Sequence, residues 1–209
     1  MKRNLGLGLL GMTMTKEKRT ASQVGRGSKQ KGTQFENAIS KKIRTYFLPG
    51  VSEKTAYNLV HRTPMSGAST ERGDLIVQPP LLEYFPWFVE ARNRQSWSWE
   101  NILKKGADSV ILKWFLEDAV DKCHPLAGDP KNERFPLLIF TKNQDQWYAC
   151  FFEDHAPIFA PTNYSVNKFS IALPSKDPKG RLVLVTSFDS LLYSHEKPQQ
   201  ELFDNLTFK

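Results

Sequence analysis

Cysteine is scarce in this chain, with only Cys123 and Cys150 among 209 residues. The pair supplies neither the spacing of a zinc site nor a disulfide framework, which points to ordinary buried thiols in a reducing compartment. Long hydrophobic runs are missing too: no apolar stretch approaches the ~20 residues that cross a bilayer, so no membrane association is expected. The opening "MKRNLGLGLLGM" imitates a secretory signal, but its apolar part is glycine-rich and no A-x-A-like cleavage site follows. Gly6, Gly8 and Gly11 spell G-x-G-x-x-G with no room ahead of them for the strand that a dinucleotide site needs. None of the four histidines, His61, His124, His155 and His195, has an identifiable catalytic neighbour. Secreted, membrane, zinc-finger and nicotinamide-binding classes therefore fall away, leaving a soluble intracellular protein.

What is present is a globular composition, 40% hydrophobic and 24% charged, with a net charge of +7 of uneven origin. Residues 1–31 hold eight bases and one acid, whereas the 21 bases of the remainder meet 21 acids. The reading is a basic flexible tail over residues 1–30 and a neutral domain over 31–209, its core about 31–155 with a C-terminal elaboration over 156–209. A basic tail raises salt-sensitive affinity for a polyanion; a solubilising leader would have the same composition.

Phe35, Ile39, Ile43 and Phe47 recur every four residues and predict a helix from Thr33 that "LPG" ends at Leu48–Gly50. Strands are predicted at Tyr57–Thr63, Asp74–Val77 and Tyr84–Ala91, the last irregular at Pro86. A long amphipathic helix follows from about Trp99 to Asp121, with Ser98 as its N-cap and Trp97, Trp99 and Trp114 as core or interface aromatics. "FPLLIFT" and "WYACFF" read as a hairpin, with further strands near Phe169–Leu173 and Leu182–Phe188 and a short helix around Gln199–Leu206. This order indicates an α/β fold, a mixed sheet flanked by helices.

The chemistry concentrates in "WFVEARNR". Residues two apart on a strand share a face, so Glu90 and Arg92 point together while Val89 and Ala91 face apolar packing. Asp74 opens the neighbouring predicted strand after Gly73; a hairpin pairing would bring it beside Glu90. Two such carboxylates repel unless a proton or cation lies between them, and oxygen ligands with open water positions suit Mg²⁺ or Mn²⁺. A nearby cation then stabilises a phosphodiester under attack. The plainer readings are a T-x-x-E capping box at Thr33 and Glu36, a Gly-Asp turn, and a Glu90–Arg92 surface pair.

Asp74 followed by Glu90-Ala91-Arg92 resembles the D…(D/E)-x-K signature of the PD-(D/E)XK nuclease superfamily. With Glu36 on the preceding helix and the loop "HRTPMSGASTERGDLIV", the order is most similar to archaeal and phage-type Holliday junction resolvases, over roughly residues 31–150. The resemblance implies a restriction-endonuclease-like core of α-β-β-β-α-β order with extra C-terminal strands, and a Mg²⁺- or Mn²⁺-dependent endonuclease. It also implies branched DNA as substrate, a homodimer, and the cytoplasm of a prokaryotic or virus-infected cell. Carried over, Asp74, Glu90, the Ala91 carbonyl and Glu36 are the metal ligands and Ser66 assists near the phosphate. Arg92 takes the place of the lysine. Lys29, Lys31, Arg62, Arg72, Arg94, Lys104 and Lys105 are candidate DNA contacts. Arginine stays protonated, unlike a desolvated lysine, so the resemblance leaves open a DNA-binding protein with an impaired nuclease site, or a restriction- or repair-type nuclease on the same core.

Overall fold

The computed structural model describes residues 21–64, 73–123, 134–142, 145–156, 171–195 and 197–198, apart from the side chains of 21–26 and 28. Ser66, Arg72 and the helix expected around Gln199–Leu206 lie outside the described residues.

Helix α1 runs Ala21–Phe47. Its predicted seam is buried, with Phe35, Ile39, Ile43 and Phe47 at most 5% exposed. Leu48 N–H closes the last turn on Arg44 O (2.9 Å), and Gly50 takes φ +86° beyond it. The start differs from expectation. Residues 21–30, placed in the flexible tail by their composition, are helical, and Thr33 and Glu36 lie inside the helix, so they form no capping box. The reason is local: Lys29, Gln30 and Lys31 are helix formers, no proline interrupts, and glycine weakens a helix without forbidding it.

Helix α2 (Glu53–Leu59) is capped by Ser52, whose Oγ accepts from Thr55 N–H at 3.2 Å. It takes Tyr57–Leu59 from the expected strand, and β1 is confined to Val60–Arg62. β1 pairs antiparallel with β2 (Leu75–Val77), Arg62 opposite Leu75, as a sheet of two strands.

The main sheet has five strands in the order β3-β4-β5-β7-β6. β3 (Trp87–Asn93) lies at its edge, parallel to β4 (Phe135–Thr141), Glu90 opposite Leu138. β4 and β5 (Tyr148–Phe152) form the predicted antiparallel hairpin. β5 pairs with β7 (Leu182–Ser187), and β7 with β6 (Ile171–Pro174). Ser187 caps the helix α5 (Phe188–Ser194), accepting from Ser190 N–H at 3.1 Å.

The crossover from β3 to β4 is not one helix. α3 (Trp99–Lys105) ends at Gly106 (φ +50°), a 3₁₀ turn spans Gly106–Asp108, and Ser109 recaps α4 (Val110–Trp114). The chain then widens into a π-helical turn, Phe115–Val120. "GADS" therefore acts as a stop and a new cap within the apolar period that predicted a continuous helix.

Both faces of the sheet are covered, as the near-continuous apolar run of β4 requires. Leu137 and Ile139 pack with the α1 seam, α2 and α5; Leu138 and Phe140 pack with Ile111, Leu112 and Phe115 on the other side. Trp97, 4% exposed, belongs to the second layer, with Trp99 and Trp114 packed against it. His195 is a structural residue: its Nδ1–H donates to Leu191 O (2.7 Å), its Nε2 accepts from Trp87 Nε1–H (2.9 Å), and burial lowers its pKa to about 4. No helix of the described residues is long and apolar enough to cross a membrane.

Gly73 immediately precedes β2 with φ +93°, where a Cβ would lie 3.1 Å from Phe88 Cε2 and from Val89 O. Gly73→Ala is expected to destabilise the protein by about 1–3 kcal/mol in urea unfolding, through left-handed strain and this crowding together.

Candidate active site

β3 carries the site: among the described residues its outer edge pairs with no strand and is met by Asp74. Asp74 N–H donates to Val89 O (2.8 Å), and the Asp74 carboxylate accepts from Ala91 N–H (2.8 Å) through Oδ2. Thr63 braces the same loop, its N–H on Asp74 O (3.0 Å) and its hydroxyl on Gly73 O (2.8 Å). β2 and β3 thus converge without the regular hairpin ladder that the sequence suggested: β2 pairs with β1, and the Asp74 clasp joins the two sheets.

The clasp places Asp74 beside the face of β3 that bears Glu90 and Arg92. Glu90 is 3% exposed and Asp74 8%. The Arg92 guanidinium bridges them, with Nη1 3.6 Å from Asp74 Oδ2 and Nη2 3.3 Å from Glu90 Oε2. Nη1 also donates to Ala91 O at 3.0 Å. Glu36, from α1, is held in an ion pair by Arg62 Nε from β1.

Two residues that sequence reasoning missed complete the group. Asp118, in the π-helical turn, accepts from Arg92 Nη2 (2.7 Å) and Nε (3.0 Å) on one oxygen, Oδ2. Lys122 places Nζ 3.4 Å from Glu90 Oε1 and 3.4 Å from Asp118 Oδ1. The available signal was the i, i+4 spacing of Asp118 and Lys122 at the end of the predicted helix, which ties them to each other but not to Glu90.

Burial and then the Asp74 charge raise the Glu90 pKa to about 7, against the pull of Lys122 and Arg92. Burial also raises Glu36, opposed by its hydrogen bond from Arg62. Arg92 loses some proton affinity to burial, yet its Asp118 hydrogen bond and three neighbouring carboxylates hold it above the ordinary arginine value.

A cleft of about 400 Å³ opens over the group, lined by Lys29, Lys31, Glu36, Arg62, Arg92 and Arg94 among others. Asp74 and Glu90 do not line it; Arg92, which touches both, does. Lys104 pairs with Glu100 on the exposed side of α3, and neither it nor Lys105 lines the cleft.

The donor set of Glu36, Asp74, Glu90 and the Ala91 carbonyl is all oxygen, which in kind fits a hard divalent ion. Among the described residues no group of three or more acidic, histidine or cysteine side chains is arranged as a metal centre. Guanidinium groups hold the donors here: Arg92 contacts three of them and Arg62 the fourth. The cation that the two carboxylates demand is, in this structure, Arg92.

The family described as "Phage putative PDDEXK endonuclease" matches residues 27–201 of the chain. Neither a curated protein nor a solved structure matches it. The five-stranded mixed sheet with helices on both faces is consistent with the restriction-endonuclease-like core of that family.

In the folded protein Glu90 keeps its proton up to about pH 7, whereas in the unfolded chain it ionises above 4.5. Between those values the folded state binds more protons, so this stabilising contribution is complete below pH 4.5 and is lost as pH rises through 7. Its expected size is on the order of 3 kcal/mol. Urea unfolding in chelator from pH 4.5 to 7.5 should show wild-type stability falling relative to Glu90→Gln; parallel curves would contradict the buried, proton-retaining carboxyl.

Proposed function

The chain belongs to the phage PDDEXK endonuclease family, and we propose from that premise that it is a metal-dependent DNA endonuclease selective for branched DNA, most like a Holliday junction resolvase. The observation that carries this reading is the convergence of Asp74 and Glu90 on one cation position beneath a basic cleft. Buried carboxylates that share a cation are costly in a purely structural role. The lining lysines and arginines match a polyanion with phosphates at fixed positions.

In this proposal Asp74, Glu90 and the Ala91 carbonyl, which Arg92 contacts in the absence of an ion, would hold Mg²⁺ or Mn²⁺, and Glu36 would be a further ligand. The ion supplies an activated water and neutralises phosphate charge. The chain's own work is positional. The clasp fixes Asp74 against β3, Lys29, Lys31 and Arg94 bind backbone phosphates along the cleft, and Arg92 keeps two carboxylates together when no ion is bound. Ser66 and Arg72, expected near the phosphate, retain that role as part of the proposal. Selectivity would follow DNA shape and phosphate positions more than base edges. A junction has near two-fold symmetry, which an isologous homodimer would match.

A second reading, a DNA-binding protein without nuclease activity, is favoured by one observation: a permanently charged guanidinium occupies the place of the lysine. Four-way junction, flap and linear duplex incubated with Mg²⁺, Mn²⁺ or chelator separate the readings. Wild-type protein should cut the junction with metal and not with chelator. Asp74→Asn should lower the rate on the order of 100-fold or more while still binding the junction. Binding without cutting by wild type would establish the second reading, and equal cutting of all three substrates would remove the junction preference.

A further inference from the structure

Building on the nuclease reading, we infer that Lys122, not Arg92, supplies the cation that meets the phosphate at the cut, and that Arg92 is a positioning residue clamped by Asp118.

Arg92 is fully engaged. A guanidinium offers five N–H groups in a rigid fork. Here Nε and Nη2 meet Asp118, Nη1 meets the Ala91 carbonyl, and the Asp74 and Glu90 carboxylates close the ring. The side chain is 23% exposed. Turning it toward a phosphate would give up both of its hydrogen bonds to Asp118, so that fork anchors the group.

Lys122 is the opposite case. Its ammonium stands 3.4 Å from each of two carboxylates, and its side chain is 46% exposed against 23% for Arg92. Three donors on a flexible four-carbon stem can exchange one acceptor for another without breaking a fork. It approaches Glu90 on Oε1, while Arg92 holds Oε2, so the two cations reach the carboxylate through different oxygens.

Lys122 is half-exposed along its side chain and fixed at its root. Phe115 and Ala119, both 0% exposed, anchor the π-helical turn in the second core layer. Asp121 N–H bonds Leu116 O (3.0 Å), Cys123 N–H bonds Ala119 O (3.1 Å), and Cys123 Sγ–H donates to Arg134 O (3.2 Å). A π-turn is an uncommon geometry, frequent at functional sites; this one carries Asp118, and Lys122 follows two residues after its end.

The experiment pairs single-turnover cleavage with chemical footprinting. Lys122→Ala should slow cutting of the four-way junction with Mn²⁺ on the order of 100-fold, a far larger factor than its loss of junction affinity. Adding Arg92→Lys to that variant should restore part of the rate by returning an ammonium to the site. In chelator, bound junction should shield Lys122 from acetylation, read by mass spectrometry against the free protein. Wild-type cutting by Lys122→Ala, or equal acetylation with and without DNA, would overturn the inference. A wild type that binds and never cuts would sink the nuclease reading instead, and the footprint would then decide whether Lys122 contacts the phosphate.

Discussion

One residue pins the two-stranded sheet to the edge of β3, over an apolar core that both sheets share. Asp74 uses its own N–H and its side chain to replace the strand that the edge of β3 lacks, accepting from Ala91 N–H and donating to Val89 O. The two-stranded sheet has no ladder to the five-stranded one. Without the clasp, a buried backbone N–H in the middle of "VEAR" would have no acceptor, and the edge would stand open to another strand. Because the same Oδ2 also faces Arg92 at 3.6 Å, the bond that closes the fold also sets one wall of the charged group. Gly73 follows from this, since only a residue without Cβ lets the chain approach Phe88 and Val89 closely enough.

Seven charged groups gathered at one sheet edge are a poor way to stabilise a protein. Desolvation of buried charge generally exceeds the Coulombic return, and apolar packing of equal volume does as well or better. Glu90 records the tension directly: burial and Asp74 push its pKa to about 7 even with two cations against it. The surrounding core does not need this group. Leu137, Leu138, Ile139 and Phe140 are each 0% exposed and fill both faces of β4 from the neighbouring strand. The charges are held by a scaffold whose apolar core is already complete without them.

Much of that scaffold was legible in the sequence, and what was not has identifiable causes. The four-residue apolar period of α1, the alternation in "VEAR" and the polar break between "FPLLIFT" and "WYACFF" are local signals, and each produced the element it indicated. The start of α1 was missed because composition marked residues 21–30 as tail, although helix propensity tolerates glycine and basic residues in a long helix. α2 was missed because its seven residues, including Tyr57 and Leu59, read equally as a strand. The break at Gly106 and the π-turn were hidden by an apolar period that continues through both. Asp118 and Lys122 are the instructive case. Their connection to Glu90 spans about one crossover of the chain and depends on how a distorted helix rotates over the sheet, which no short sequence window encodes.

Seen only as a motif, Arg92 in place of lysine removes a group that can both hold carboxylates and meet a phosphate. On the inference drawn above, those tasks fall to two residues. A guanidinium suits the first, because its planar fork can serve several oxygens at once without moving. An ammonium suits the second, because it is a compact charge whose partners can change. Asp118 makes the division workable: it accepts two Arg92 donors on one oxygen and offers the other to Lys122, so the fixed and the movable cation share an anchor. An arginine alone at this strand position would be the one cation beside Glu90; Asp118 and Lys122 add a second, half-exposed one on the other carboxylate oxygen.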